Sequence, residues 1–121
     1  MKLFTDTDAV YKLGESAHEN WALLEMSHED HYFFHLSSFS SCYVIVEPMG
    51  EPCISVIQKG ALLCKQHTKY RHSADIKVDY CLCSNVIKGP KVGEAIFKSN
   101  RKVKQIKPLR YHAPPRRDRS M

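Results

Sequence analysis

The chain has 121 residues, 43% hydrophobic and 26% charged, a balance that excludes wholesale disorder and supplies one core rather than two. Its longest apolar runs, residues 43–46 and 61–64, are too short to cross a bilayer, so no membrane insertion is expected. The net charge of +5 is unevenly spread: residues 98–121 hold nine bases against one acid (+8), whereas the rest hold nine bases against 12 acids (−3).

From the N-terminus, Asp6 and Asp8 interrupt the chain before any apolar stretch develops, so no signal peptide is expected. Residues 9–13 read as a short strand ending at Gly14. Ser16 and Glu19 have capping-box spacing, and the helix they open places Ala17, Trp21 and Leu24 on its inner side. Residues 31–36 form an aromatic-rich strand, and 37–41 a serine-rich turn. Residues 42–47, apolar on both faces, read as a central strand.

Pro48, Gly50 and Pro52 mark a loop, with Pro52 at the first position of a second helix. Ile54, Ile57, Ala61 and Cys64 form its inner stripe. Gly60 costs that helix about 1 kcal/mol relative to alanine, tolerable if it lets the helix lie close to a sheet. Ile76, Val78, Tyr80 and Leu82 alternate with polar residues and cysteines, as in a half-buried strand. Gly89-Pro90 is a turn, and residues 94–107 read as a hairpin turning at Ser99-Asn100. The apolar pattern stops at Pro108. The expected division is a domain over residues 1–107 and a basic, flexible tail over 108–121. The fold class is α+β: a mixed, largely antiparallel sheet of about six strands with two helices packed on it.

Five cysteines at 42, 53, 64, 81 and 83 are an odd number without disulfide-scaffold density, which points to a reducing, cytoplasmic compartment. Cys81 and Cys83 share a strand face, and His67 and His72 have a zinc-like interval, but no second thiol pair completes that pattern. No metal and no cofactor is expected, and the cysteines read as small buried hydrophobes. Cys64 and His67 lack a third, orienting group, and the 88–93 segment lacks phosphate-loop spacing. The chain therefore reads as no enzyme.

The basic C-terminal fifth indicates a polyanionic partner. Lys88, Lys91, Lys98, Arg101, Lys102 and Lys104 are the candidate phosphate contacts, with Arg116 and Arg117 of the tail adding nonspecific grip. In a 94–107 hairpin, Lys102 and Lys104 would share one face. A solvated charged surface is the plainer alternative.

Several short motifs occur in a distinctive order: Gly14 and Asn20; Phe33, Phe34 and His35; Val78-Asp79-Tyr80; Ser84-Asn85-Val86 with Lys88; and Val92-Gly93 with Phe97. Over residues 8–107 the chain resembles the NFACT-R domain, the RNA-binding module of proteins acting on stalled ribosomes, which also occurs in stand-alone form. Gly14, Asn20, Phe34, Asp79, Tyr80, Asn85 and Gly93 match its motifs. Glu15 departs from a usual arginine or lysine, and Ser41-Cys42-Tyr43 departs from a Gly-Ser-His motif. The resemblance implies a non-enzymatic module for RNA (tRNA or rRNA), with DNA or the ribosome as further partners and ribosome-associated quality control as the setting. It also implies that His35, among aromatic neighbours, touches RNA or organises the surface that does; a core histidine satisfied by backbone is the plainer alternative. A protein-interaction adaptor that keeps the fold without RNA contact is the rival expectation.

Overall fold

A computed structural model describes residues 1–39 and 41–108. The elements run β1 (Lys2–Thr5), β2 (Ala9–Leu13), α1 (Ala17–Met26), β3 (Tyr32–Leu36), β4 (Val44–Pro48), α2 (Ile54–Gln66), β5 (Val78–Leu82), β6 (Val86–Lys88), β7 (Ala95–Phe97) and β8 (Lys104–Ile106). Six strands form one sheet in the order β1-β2-β4-β3-β5-β8, and β6 and β7 form a separate ribbon. All the pairings are antiparallel. The class is α+β, with two helices on a largely antiparallel sheet as expected, although the described strands number eight.

Side chains alternate between the faces of a strand, and here both faces are covered. Phe34, Leu36, Val44 and Val46 pack with Ala61 and Cys64 of α2. Phe33, Ile45 and Cys81 pack on the opposite side with Leu23 of α1 and Val86 of the ribbon. This explains why β4 reads as apolar on both faces: Val44, Ile45 and Val46 are all buried between its neighbours β2 and β3. Gly60 meets its expectation too. A Cβ there would fall 2.7 Å from the Phe34 ring, so its absence lets α2 lie directly on the sheet.

Several local expectations are corrected. Residues 94–107 are not a hairpin: β7 pairs with β6, and β8 joins the edge of the main sheet beside β5. The chain between them makes a 3-10 turn, Asn100–Lys102, so Lys102 does not share a strand face with Lys104. In α1 the buried residues are Asn20 and Leu23, and Ala17 is exposed. α2 begins at Ile54 with Cys53 as its N-cap, leaving Pro52 outside the helix and Ile54 68% exposed. In β5, Cys81 is buried because α1 and the ribbon cover the face that alternation assigned to solvent, whereas Leu82, on the opposite face, is exposed. Cys53 is exposed rather than buried. β1 had no counterpart in the sequence reading.

Pro108 is buried, whereas Arg116, Arg117 and the rest of the expected tail beyond Pro108 lie outside the described residues. No helix among the described residues is long and apolar enough to cross a membrane.

Candidate functional site

The register brings the ends of β2 and β3 together with the starts of β4 and β5: Leu13 and Phe34 both lie opposite Val44, and Leu36 opposite Val78. The first turn of α1 and the loop entering β7 reach this end of the sheet. Between them opens a cleft of about 1070 Å³. The sheet contributes Phe33, His35 and Asp79 to its lining, and the two covering segments contribute Gly14, Asn20, Lys91 and Gly93. Motif-matching residues far apart in the chain thus meet around one opening.

Two of these contacts explain the spacing of the first motif. Asn20 sits one turn into α1, buried, and its Oδ1 accepts the Tyr43 N–H at 3.1 Å. The Gly14 N–H donates to the Tyr43 carbonyl at 3.1 Å, and a Cβ on Gly14 would fall 2.1 Å from Asn20 Oδ1. Gly14 and Asn20 therefore seat the start of α1 against the start of β4. The cap forms much as expected: Ser16 Oγ accepts the Glu19 N–H at 3.2 Å. Glu19 reaches back one residue further than a simple capping box, accepting the Glu15 N–H at 2.9 Å.

The opposite wall is held in the same manner. Gly93 has φ +88°, and a Cβ there would lie 2.6 Å from the Ala17 Cβ. The Tyr43 hydroxyl donates to the Gly93 carbonyl at 2.6 Å, and Trp21 Nε1 donates to the Glu94 carbonyl at 2.9 Å. Tyr43 thus becomes a strut between sheet and loop. Asn85 is structural as well: its side chain exchanges two 2.9 Å hydrogen bonds with the Ser99 backbone, fixing the chain that leaves β7. Phe34 and Tyr80 belong to the α2 side, where their rings stack at 5.5 Å.

His35 and Asp79 are the motif residues left facing the cleft from the sheet. They are paired across β3 and β5, so their side chains share a face. His35 Nδ1 lies 2.8 Å from the Leu36 carbonyl, which accepts, so this nitrogen carries the proton. Nε2 has no partner among the described residues. Burial pushes the imidazole below the usual histidine value, against the opposing influence of the Leu36 carbonyl and Asp79. The ring lies nearly parallel to Phe33, with centroids 6.3 Å apart, and edge-on to Tyr43 at 5.9 Å. Asp79 accepts from Gln105 Nε2 at 3.0 Å, and the same amide donates to Ser37 Oγ at 2.8 Å.

The predicted cations divide into three groups. Lys91 lines the cleft. Lys88 lies over the Trp21 ring and is ion-paired with Glu25, away from the cleft lining. Lys98, Arg101, Lys102 and Lys104 are exposed along the connection from β7 into β8, and form no ion pair among the described residues. They do not line the cleft, but Gln105 ties β8 to Asp79 at its edge.

The cleft itself has mixed charge, with Glu15, Asp79 and Glu94 alongside Lys2 and Lys91. Lys2 Nζ stands 3.9 Å from Glu15, placing a cation beside that carboxylate at the cleft lip. Sequence reasoning passed over Lys2, Gln105 and the cleft role of Trp21. The lone tryptophan was the one visible signal among them. Among the described residues, no three His, Cys, Asp or Glu side chains gather as a metal site.

The architecture defines an α+β domain with an open, mixed-charge cleft and a separate exposed basic ledge. No family model matches the chain, and no curated protein matches it. Among solved structures, it is similar to the C-terminal part of the fibronectin/fibrinogen-binding protein from Streptococcus suis, with a TM-score of 0.72 and 22% identity. The match covers 84% of this chain and 41% of that one, so this chain spans less than half its length. At that identity the likeness shows the fold.

Proposed function

We propose that this chain is an NFACT-R-type nucleic-acid-binding module without enzymatic activity, acting in the cytoplasm on tRNA or rRNA. The observation that carries the reading is the convergence of Gly14, Asn20, His35, Asp79 and Gly93 on one cleft. These five residues come from four separate motifs, and three of them, Gly14, Asn20 and Gly93, hold its walls. His35 offers a neutral imidazole with Nε2 free to accept a hydrogen bond from a base or a ribose hydroxyl. Lys91 at the cleft and the four ledge cations supply phosphate contacts. His35 has its Nδ1 on a backbone carbonyl rather than a carboxylate, and Asp79 is held by Gln105, an arrangement suited to recognition rather than proton relay. A setting in ribosome-associated quality control follows from the resemblance.

Filter binding to tRNA and rRNA at about 50 and about 200 mM salt tests this. Affinity should fall steeply between the two. Replacing Lys98, Arg101, Lys102 and Lys104 together by alanine should reduce the log–log salt slope by about 3, at roughly 0.7–0.9 per phosphate contact. His35→Ala should weaken binding with little change in slope. Absence of binding at the lower salt would overturn the reading.

A second reading is a protein-interaction adaptor. The carboxylates of Glu15, Asp79 and Glu94 favour it, since they oppose phosphate inside the cleft and would suit a basic peptide. The name of the Streptococcus suis protein, which speaks of fibronectin and fibrinogen, belongs with this alternative. Salt-insensitive binding of a protein, with no RNA retention, would select it.

A further inference from the structure

Cys42 precedes β4, and Cys64 lies in the last turns of α2, where the two residues face one another across the seam between sheet and helix. The Cys42 thiol is 3.8 Å from the Cys64 carbonyl oxygen, and the Cys64 thiol is 3.7 Å from the Cys42 carbonyl oxygen. Ser41 Oγ lies 3.8 Å from Cys64 Sγ. Access is unequal: Cys42 is half-buried and lines the cleft, whereas Cys64 is wholly buried in the α2-side core. Their acidities differ in the same sense. Interaction with Cys64 draws the Cys42 thiol below the usual thiol value, and the neighbouring Cys42 together with burial holds Cys64 well above it. The reachable thiol is therefore the better attacking group, and the buried one stays protonated beside it.

We propose that Cys42 and Cys64 form an oxidative modification site, in which a hydroperoxide entering through the cleft oxidises Cys42 and Cys64 resolves it to an intramolecular disulfide. In the first step the Cys42 thiolate attacks a peroxide oxygen. The O–O bond breaks, an S–O bond forms, and the departing alkoxide or hydroxide takes up a proton. In the second step the Cys64 sulfur attacks the Cys42 sulfur. The S–O bond breaks, the S–S bond forms, and the released hydroxide leaves as water with the Cys64 proton. Two thiols lose two electrons and two protons, and the hydroperoxide is reduced to an alcohol or water plus a second water. Cys81 and Cys83 are buried with thiols raised by that burial, so neither competes. Exposed Cys53 does compete, its thiol lowered by Ser55, and it has no cysteine partner in this pair.

The test uses the full chain carrying Cys53→Ser, treated with hydrogen peroxide while folded, then unfolded, alkylated and mapped by mass spectrometry. The five free cysteines become four in this variant. Free thiols should fall from four to two, with the Cys42 and Cys64 peptides recovered as one linked species. The same chain oxidised in urea should not favour that pair. In a second variant that also carries Cys64→Ala, dimedone should trap Cys42 as a sulfenic acid. Retention of four thiols under peroxide that fully oxidises a free thiol standard would overturn the proposal. So would a sulfenylated but unlinked Cys42 in the presence of Cys64, or the same spread of pairings in folded and unfolded chains. The mapping of the Cys53→Ser chain decides the matter even if the second variant does not fold.

Discussion

The Tyr43 hydroxyl donates to the Gly93 carbonyl at 2.6 Å, joining residues 50 positions apart and tying the start of β4 to the loop that roofs the cleft. The same loop touches Ala17 so closely that Gly93 has no room for a side chain. One wall of the cleft thus depends on a tyrosine, a glycine and the first residue of α1.

Gly93→Ala should destabilise the domain by at least about 1–2 kcal/mol, the cost of a left-handed backbone for a residue bearing a Cβ. Contact with Ala17 at 2.6 Å adds to that cost. Ala17→Gly in the same chain should recover only the part owed to the Ala17 Cβ, since the Ala17 Cα would still lie 2.9 Å from the new Cβ, and should leave the backbone portion. Urea unfolding of the two single variants and the double variant measures both. Full recovery in the double variant would mean that φ at residue 93 is not strained.

Alkaline stability should report on Tyr43 and Tyr11. Burial pushes both phenols up to about 12, with Glu94 contributing at Tyr43 and Asp6 at Tyr11. A folded pKa above the unfolded value means that the native chain keeps the proton longer. The stability this represents is complete below pH 10, near the ordinary value of 10.0, and is lost as pH rises toward 12. Phenolate absorbance of the folded chain should show Tyr11 and Tyr43 titrating late. Tyr43→Phe should remove one of them and make the alkaline loss of stability shallower.

At acid pH the histidines act in the opposite sense. Burial holds both His35 and His31 below the ordinary value of 6.5. The unfolded chain then takes up these protons first, so stability is complete above pH 6.5 and declines as pH falls through the folded values. Histidine proton resonances should place His35 below the free value, with Nδ1 protonated in the neutral form. His35→Gln should lessen the decline. A His35 titration at or above 6.5 would contradict the buried placement.

The N-cap of α2 can be improved. Cys53 has extended backbone angles suited to a cap, but its side chain makes no capping hydrogen bond. Cys53→Ser should raise stability by about 0.5–1 kcal/mol, because serine oxygen accepts from the first-turn N–H groups. The urea midpoint should rise with an unchanged slope. An unchanged midpoint would show that the contact between Cys53 and Ser55 already supplies that stabilisation.

Local chemistry made some elements readable. Ser16 and Glu19 announced α1 because a cap depends on residues three apart, and Gly60 suggested a close helix-on-sheet approach that Phe34 fills. The register of α1 was read less well. Its apolar residues run together from Trp21 to Leu24 rather than recurring at a helical period, and buried Asn20 faces inward for a hydrogen bond to Tyr43. β1 escaped notice because all but one of its residues are exposed, so its pairing with β2 left no apolar alternation.

The start of α1, the central strand and the α+β class came from the sequence by itself, because each rests on neighbouring residues or on a short apolar period. Strand partners did not. The turn residues at 99–100 indicate that the chain bends, yet only packing decides that β7 turns back to β6 while β8 crosses to β5. The motifs named the residues of the cleft but not their roles. Gly14, Asn20, Asn85 and Gly93 hold backbone, His35 and Asp79 line the cleft half-buried, and the ledge cations stand apart, since side chains distant in sequence acquire neighbours only when the sheet closes.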